Sequence, residues 1–318
     1  MMAELLWLQG QCCSGNTMSL LDAEQPNVLE LLEEYRVNLA WHPSLSLESG
    51  NQARDILDGF VSKERTLDVL VVEGAVATGP GGTGHYNVFC GRPFKDWLSD
   101  LSRVAAFVVA VGECACFGGI PAAEPNPTGA TGVQFHKGTR GGYLGVDYRS
   151  QAGLPVVNIP GCPAHPDWMT QTLMSILVGR AGDIVLDEYQ RPADLFAGLT
   201  HDGCTRNEYF EFKVDGAFGE KEGCLFGEFG CQGPLTHSSC NRLLWNRQSS
   251  KTRAGVPCFG CTEPDFPTFD FYHTKKGLGG IPTELPLGVP RARYVAMAGA
   301  AMAACPPRLR KKLIEGRS

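Results

Sequence analysis

Seven side chains between residues 201 and 261 are of the kind that hold metals: His201, Cys204, Cys224, Cys231, Cys240, Cys258 and Cys261. They lie in a stretch rich in Gly and Pro with few long apolar runs, so metal centres are expected to stand there in place of an apolar core. Thiolates select zinc, copper(I) or iron-sulfur clusters over hard cations, and clusters are held mainly by Cys with an occasional His. A structural zinc site would draw on local pairs, for example Cys258-x-x-Cys261 with His201-x-x-Cys204.

The first half of the chain carries a second set. Cys12 and Cys13 follow an apolar run at residues 5–8, Glu73 follows 67–72, Cys114 and Cys116 follow 106–111, and Cys162 follows 155–159. Each run is short, rich in Val, Leu and Ile, and stops at a Gly-containing loop. Runs that are largely apolar rather than alternating read as parallel strands covered on both faces. Helical patterns at 28–35, 51–63, 92–101 and 167–178 are interleaved with them, and this order predicts a doubly wound α/β domain. In open parallel sheets ligands bind beyond the carboxyl ends of the strands, so these loops are expected to converge on one site. Three widely separated strand-end Cys do not resemble a zinc knuckle, whereas an iron-sulfur cluster can collect distant ligands. Several clusters in one chain imply an electron relay. Cys90 and Cys305 lack such a placement and read as small buried hydrophobes.

The elements that must position these residues are set by composition. The chain has 318 residues, 43% of them hydrophobic and 19% charged, which predicts a globular protein with a sizeable core. Its character changes near residues 183–200, which suggests a first domain over 1–185 and a second over 186–318. The net charge of -6 argues against nucleic acid as a partner. The basic run at Arg308, Arg310, Lys311 and Lys312 reads as a solvated tail. The start, Met1 to Trp7, shows no basic n-region, no small-residue cleavage site and no twin-arginine motif, so a cytoplasmic location is expected. A reducing compartment favours metal-bound thiolates over disulfides. The longest apolar stretch, 294–305, falls short of the ~20 residues a bilayer requires. The loop from Gly79 to Gly84 lacks the Lys of a phosphate-binding P-loop.

Taken in order, Trp7-Leu8-Gln9-Gly10-Gln11-Cys12-Cys13-Ser14-Gly15-Asn16, Val71-Val72-Glu73-Gly74, Gly112-Glu113-Cys114-Ala115-Cys116-Phe117-Gly118-Gly119, Pro160-Gly161-Cys162-Pro163 and Pro257-Cys258-Phe259-Gly260-Cys261-Thr262-Glu263-Pro264 resemble the small subunit of nickel-iron hydrogenases. The resemblance runs from residue 5 to about residue 268. It implies a flavodoxin-like domain with a proximal cluster, then a small, loop-rich iron-sulfur domain with medial and distal clusters. It also implies a large-subunit partner that carries the nickel-iron site, an electron acceptor not named by the sequence, and room for higher oligomers of the heterodimer. By position, Cys13, Cys114 and Cys162 match proximal ligands. His201, Cys204, Cys224 and Cys231 match the distal set, suited to 4Fe-4S, and Cys240, Cys258 and Cys261 the medial set, suited to 3Fe-4S.

The proximal motif departs from the family pattern, because Asn16 stands where the second Cys of Cys-x-x-Cys is expected. The fourth ligand is then Cys12, Cys116, a carboxylate such as Glu73 or water, or the cluster is 3Fe-4S rather than 4Fe-4S. Gly15 and Gly119 occupy the positions of two extra Cys in oxygen-tolerant membrane-bound relatives, so a six-Cys cluster is not expected. Asn16, Cys116 and the long Cys224 to Cys231 spacing most resemble the actinobacterial-type, high-affinity uptake hydrogenases. The alternative reading is an iron-sulfur subunit like that of respiratory complex I, which predicts one cluster and no Cys-rich second domain.

Overall fold

The computed structural model describes residues 2–268 and 270–309, so Arg310, Lys311 and Lys312 of the basic run lie outside the described residues. The chain packs as two units, Met1–Leu195 with Pro264–Phe266, and Phe196–Glu263 with Pro267–Ser318.

Five parallel strands form the sheet of the first unit: β1 (Ala3–Gln9), β2 (Val37–Trp41), β3 (Val69–Glu73), β4 (Phe107–Val111) and β5 (Val157–Ile159). Their order across the sheet is β5-β4-β3-β1-β2, the flavodoxin-like arrangement. Register brings the carboxyl ends level: Gln9 of β1 pairs with Glu73 of β3, and Glu73 with Val111 of β4. The centre strand β3 is buried along its whole length, as the unbroken apolar run predicts for a strand with two covered faces.

The helices of this unit include α1 (Gly15–Leu20), α2 (Val28–Glu33), α3 (Gly50–Val61), α4 (Phe94–Val104), α5 (Glu113–Phe117) and α6 (Pro166–Leu177). α3 buries Ala53, Leu57 and Phe60, and α4 buries Phe94, Trp97, Leu98 and Leu101. Both stripes follow helical spacing and join one core with Leu6, Leu8, Leu70 and Val72 from the sheet. α2 opens on a capping box in which Asn27 Oδ1 accepts from Glu30 N at 2.9 Å and Glu30 Oε2 from Asn27 N at 3.0 Å.

Two differences from the sequence reading have physical reasons. β2 is not predicted, because an edge strand needs only partial burial and its Val-Asn-Leu-Ala-Trp run carries a polar residue. That residue, Asn38, is held from β1, with its Nδ2 donating to Glu4 Oε1 at 3.1 Å and Oε2 at 3.0 Å. The first unit also extends to Leu195, inside the predicted change of character at 183–200 but past the expected bound at 185. Asn158 of β5 bonds to the carbonyls of Tyr189 at 2.8 Å and Gln190 at 2.9 Å, which ties that segment to the sheet edge.

The second unit is mostly loop, with short helical turns, α7 (Asn207–Glu211) and α8 (Arg291–Ala303). One buried apolar cluster unites Phe210, Leu225 and Phe226 with Cys224, Cys231 and Cys258. Among the described residues no helix is long and apolar enough to cross a membrane.

Candidate functional site

The loops that leave β1, β3, β4 and β5 are stitched together by backbone bonds. Gly10 N donates to Glu73 O at 2.7 Å, Gly112 N to Ile159 O at 2.9 Å and Glu113 N to Gly161 O at 2.8 Å. Gly112 has φ 82, and a Cβ there would stand 2.2 Å from Asn16 Nδ2, so only Gly fits. These ties bring Cys13 and Cys162 within electrostatic reach of Cys114. The Cys114 thiol is pushed up to about 12, first by burial and then by Cys162, Glu113 and Cys13. Cys13 itself is exposed. Gly15 and Gly119 abut the same sulfurs: a Cβ would lie 3.1 Å from Cys13 Sγ at the first and 3.0 Å from Cys114 Sγ at the second.

Beside these thiols, the fully buried Glu73 carboxylate closes the start of α1. Its Oε1 accepts from Asn16 N at 3.0 Å and Thr17 N at 3.3 Å; its Oε2 accepts from Trp7 Nε1 at 3.1 Å, Gln9 Nε2 at 3.0 Å and Thr17 Oγ1 at 2.5 Å. Buried His42 extends the network. Burial lowers its pKa to about 4, against the pull of Glu73, so the ring is neutral at pH 7. His42 Nδ1 accepts from Ser44 N at 3.0 Å, which leaves Nε2 as the donor towards Thr17 Oγ1 at 3.3 Å.

The structure separates the candidates for a fourth donor. Both oxygens of Glu73 are engaged by the five donors just given. Cys116 lies in the apolar core and its thiol donates to Ala110 O at 3.3 Å. Asn16 Oδ1 accepts from Ala164 N at 2.9 Å, so the amide fastens α1 to the loop after Cys162. The Cys12 thiol is only partly buried, raised by that burial, and met by Ser14. Cys305 is buried against Val214 and Leu309, as its packing role suggests.

In the second unit His201 and Cys204 sit at either end of one helical turn, with Cys204 N donating to His201 O at 3.0 Å. They line a single pocket with Cys224 and Cys231. The Cys224 thiol is pushed up to about 12, mainly by burial, with Cys204 adding to it. His201 stacks edge-on to Phe210 at 4.4 Å, and burial lowers its pKa, which keeps the imidazole in the neutral form that ligates metals. Cys240, Cys258 and Cys261 form the other group. Burial and then Cys261 raise Cys240 to about 12, and the same two causes raise Cys258. Cys231 stands between the groups: Cys258 N points at its Sγ from 3.3 Å, and Cys258 and Cys224 both raise its thiol after burial.

A thiol held near 12 is protonated at neutral pH, and crowded thiolates repel. Such groups become anionic only against metal charge, and metal binding drives the protons off. The soft, clustered and mostly buried donors therefore fit iron-sulfur clusters. Among the described residues no three His, Cys, Asp or Glu side chains are grouped to hold a single metal ion, whereas a multi-iron cluster takes its thiolates at separate irons. The hydrogen-bond network around Glu73 and the buried Arg206 of the second unit carried no sequence signal, since both arise from contacts distant in the chain.

A family model described as NADH ubiquinone oxidoreductase, 20 Kd subunit, matches residues 13–176. A second, which describes the C-terminal part of the NiFe/NiFeSe hydrogenase small subunit, matches residues 196–273. The chain is 36% identical over 292 residues to the F420 non-reducing hydrogenase II small subunit of Methanosarcina mazei, covering 83% of this chain and 73% of that protein. It is 31% identical over 283 residues to the periplasmic [NiFeSe] hydrogenase small subunit of Desulfomicrobium baculatum, covering 83% and 84%. Among solved structures, the actinobacterial-type NiFe-hydrogenase from Ralstonia eutropha H16 superposes with a TM-score of 0.78 at 29% identity, over 96% of this chain and 92% of that one. The [NiFeSe]-hydrogenase of Dm. baculatum superposes at 0.76 with 31% identity, over 86% and 100%.

Proposed function

The chain belongs to the small-subunit family of nickel-iron hydrogenases, and from that premise we propose that its Cys and His residues form three cluster sites in series. It is the electron-transfer subunit of the enzyme and works with a large subunit. Cys13, Cys114 and Cys162 would hold the proximal cluster, Cys240, Cys258 and Cys261 a medial 3Fe-4S cluster, and His201, Cys204, Cys224 and Cys231 a distal 4Fe-4S cluster. When bound, these clusters supply one-electron carriers between the partner's site of hydrogen oxidation and an external acceptor.

The observation that supports this reading is that Cys13 and Cys162, from two other strand ends, both lie close enough to Cys114 to raise its thiol. The protein's own residues have three tasks. Gly112, Asn16 and the Glu73 network fix the loops that present those thiols. Phe210, Leu225 and Phe226 keep water from the outer donors, which tunes their potential. The exposed Cys13, with Met18 of the adjoining α1 at 64% exposure and Leu21 just past its end at 55%, offers a surface for the large subunit.

For the fourth proximal donor, Cys12 is the candidate whose thiol is neither in the core nor saturated, and with it the proximal cluster is 4Fe-4S. A Cys12→Ser variant that leaves the proximal EPR signature unchanged would remove it. Asn16, Cys116 and the near full-length superposition on the Ralstonia enzyme support the actinobacterial-type, high-affinity uptake class. Thirteen cysteines without a disulfide suit a cytoplasmic setting. The complex I-like alternative is favoured only by the family match over residues 13–176 and leaves the second unit's donors without a role. Co-expression with the large subunit tests the assignment: hydrogen must reduce clusters in this chain, and replacing His201 by Ala must alter the distal signal alone.

A further inference from the structure

We infer that Arg206 is a positioning residue for the distal site, latching the segment that carries Cys224 to the one that carries Cys204. The inference rests on the reading of His201, Cys204, Cys224 and Cys231 as cluster donors.

Arg206 is 2% exposed, and long cationic side chains are seldom buried without a counter-charge. Its Nε donates to Thr252 O at 2.7 Å, its Nη1 to Glu222 O at 3.1 Å and Gly223 O at 2.5 Å, and its Nη2 to Glu220 O. Its own backbone N–H points at Cys204 Sγ from 3.4 Å. The side chain thus gathers three carbonyls from the four residues before Cys224 and one from a third loop. Its place two residues after Cys204 makes it the pivot. The planar guanidinium suits this task, because its donors are fixed in a fork that a lysine cannot reproduce.

Among the described residues its hydrogen-bond partners are carbonyl oxygens, not a carboxylate. Carbonyl dipoles offset part of the buried charge. Arg206 also lines the pocket of His201, Cys204, Cys224 and Cys231, where a bound, thiolate-ligated cluster would bring the negative charge that the guanidinium otherwise lacks. A fixed cation there favours the more negative, reduced state of whatever those thiolates bind. The residue therefore acts twice, by holding the donors in register and by raising the distal potential.

The test is an EPR-monitored redox titration of the purified heterodimer carrying Arg206→Gln or Arg206→Lys. Arg206→Gln is expected to change the distal line shape and to lower the distal reduced-to-oxidised ratio about tenfold at a fixed ambient potential, about 59 mV for a one-electron couple. The medial and proximal signals stay as in the wild type. Arg206→Lys, which keeps the charge but not the fork, is expected to restore most of the potential while the line shape stays altered. A distal signal in Arg206→Gln with wild-type shape and midpoint overturns the inference. So does equal loss of medial and distal signals in both variants, which would mark a general folding role. A wild-type heterodimer with no distal signal would instead overturn the reading of the site itself.

Discussion

Replacing Glu73 by Gln keeps the shape of the side chain and removes its charge, which isolates what the buried carboxylate does. Two of the five donors that converge on it reach Oε1 and three reach Oε2. An amide offers one acceptor oxygen, so in either orientation its NH2 group confronts at least two N–H donors: Asn16 N and Thr17 N, or Trp7 Nε1 and Gln9 Nε2. Leaving a buried donor unpaired costs about 1–3 kcal/mol. The Thr17 hydroxyl already accepts from Gln9 Nε2 and faces His42 Nε2, so it cannot take up the new amide N–H, and the expected loss is about 3 kcal/mol. For a unit of this size each kcal/mol lowers Tm by about 2–4 °C, so thermal melting of the heterodimer should fall by about 6–12 °C. The same change loosens the first turn of α1, and cluster content at Cys13, Cys114 and Cys162 should fall with it. An E73Q heterodimer that melts within about 2 °C of the wild type, by the scale just used, would refute this account of the network.

Other outcomes follow from the same contacts. His42 is buried neutral with its pKa lowered from 6.5 to about 4; the unfolded chain binds the proton more readily, so stability is complete above pH 6.5 and is lost as pH falls through 4. At 1.36 kcal/mol per pKa unit the loss is about 3 kcal/mol, and the gap in Tm between wild type and His42→Gln should narrow or reverse across that window. Gly112→Ala should lower both yield and proximal cluster content, because φ is 82 and the new Cβ would overlap Asn16 Nδ2; normal iron content in this variant would contradict the packing described. Leu57→Ala, in the fully buried stripe of α3, should cost about 2–5 kcal/mol in denaturant unfolding while leaving the EPR signals of the loaded protein unchanged.

The parts of the molecule legible from sequence are those whose physics is local. Strands β1, β3 and β4 show themselves as strongly apolar runs because both faces are covered, and β5 as a largely apolar run that carries Asn158. The residues just past their ends then point to one place by topology alone. β2 escapes because an edge strand with Asn38 at its second position looks like loop until Glu4 is seen to hold it. Cys116 and Glu73 lie at strand ends as a ligand should, yet one is turned into the core towards Ala110 and the other is enclosed by Trp7, Gln9, Asn16 and Thr17. Side-chain direction, not position in the chain, separates them from Cys13, Cys114 and Cys162. Arg206 reads as an ordinary surface cation in sequence, because the carbonyls it gathers come from loops 14–46 residues away.

The central claim, three cluster sites in one electron-transfer subunit, is tested most directly on the purified heterodimer by combined metal analysis and EPR under hydrogen. The account predicts iron and acid-labile sulfide sufficient for three clusters, three signals reduced by hydrogen, and nickel confined to the partner. Stoichiometric zinc in this chain without acid-labile sulfide, and no reducible signal, would contradict it.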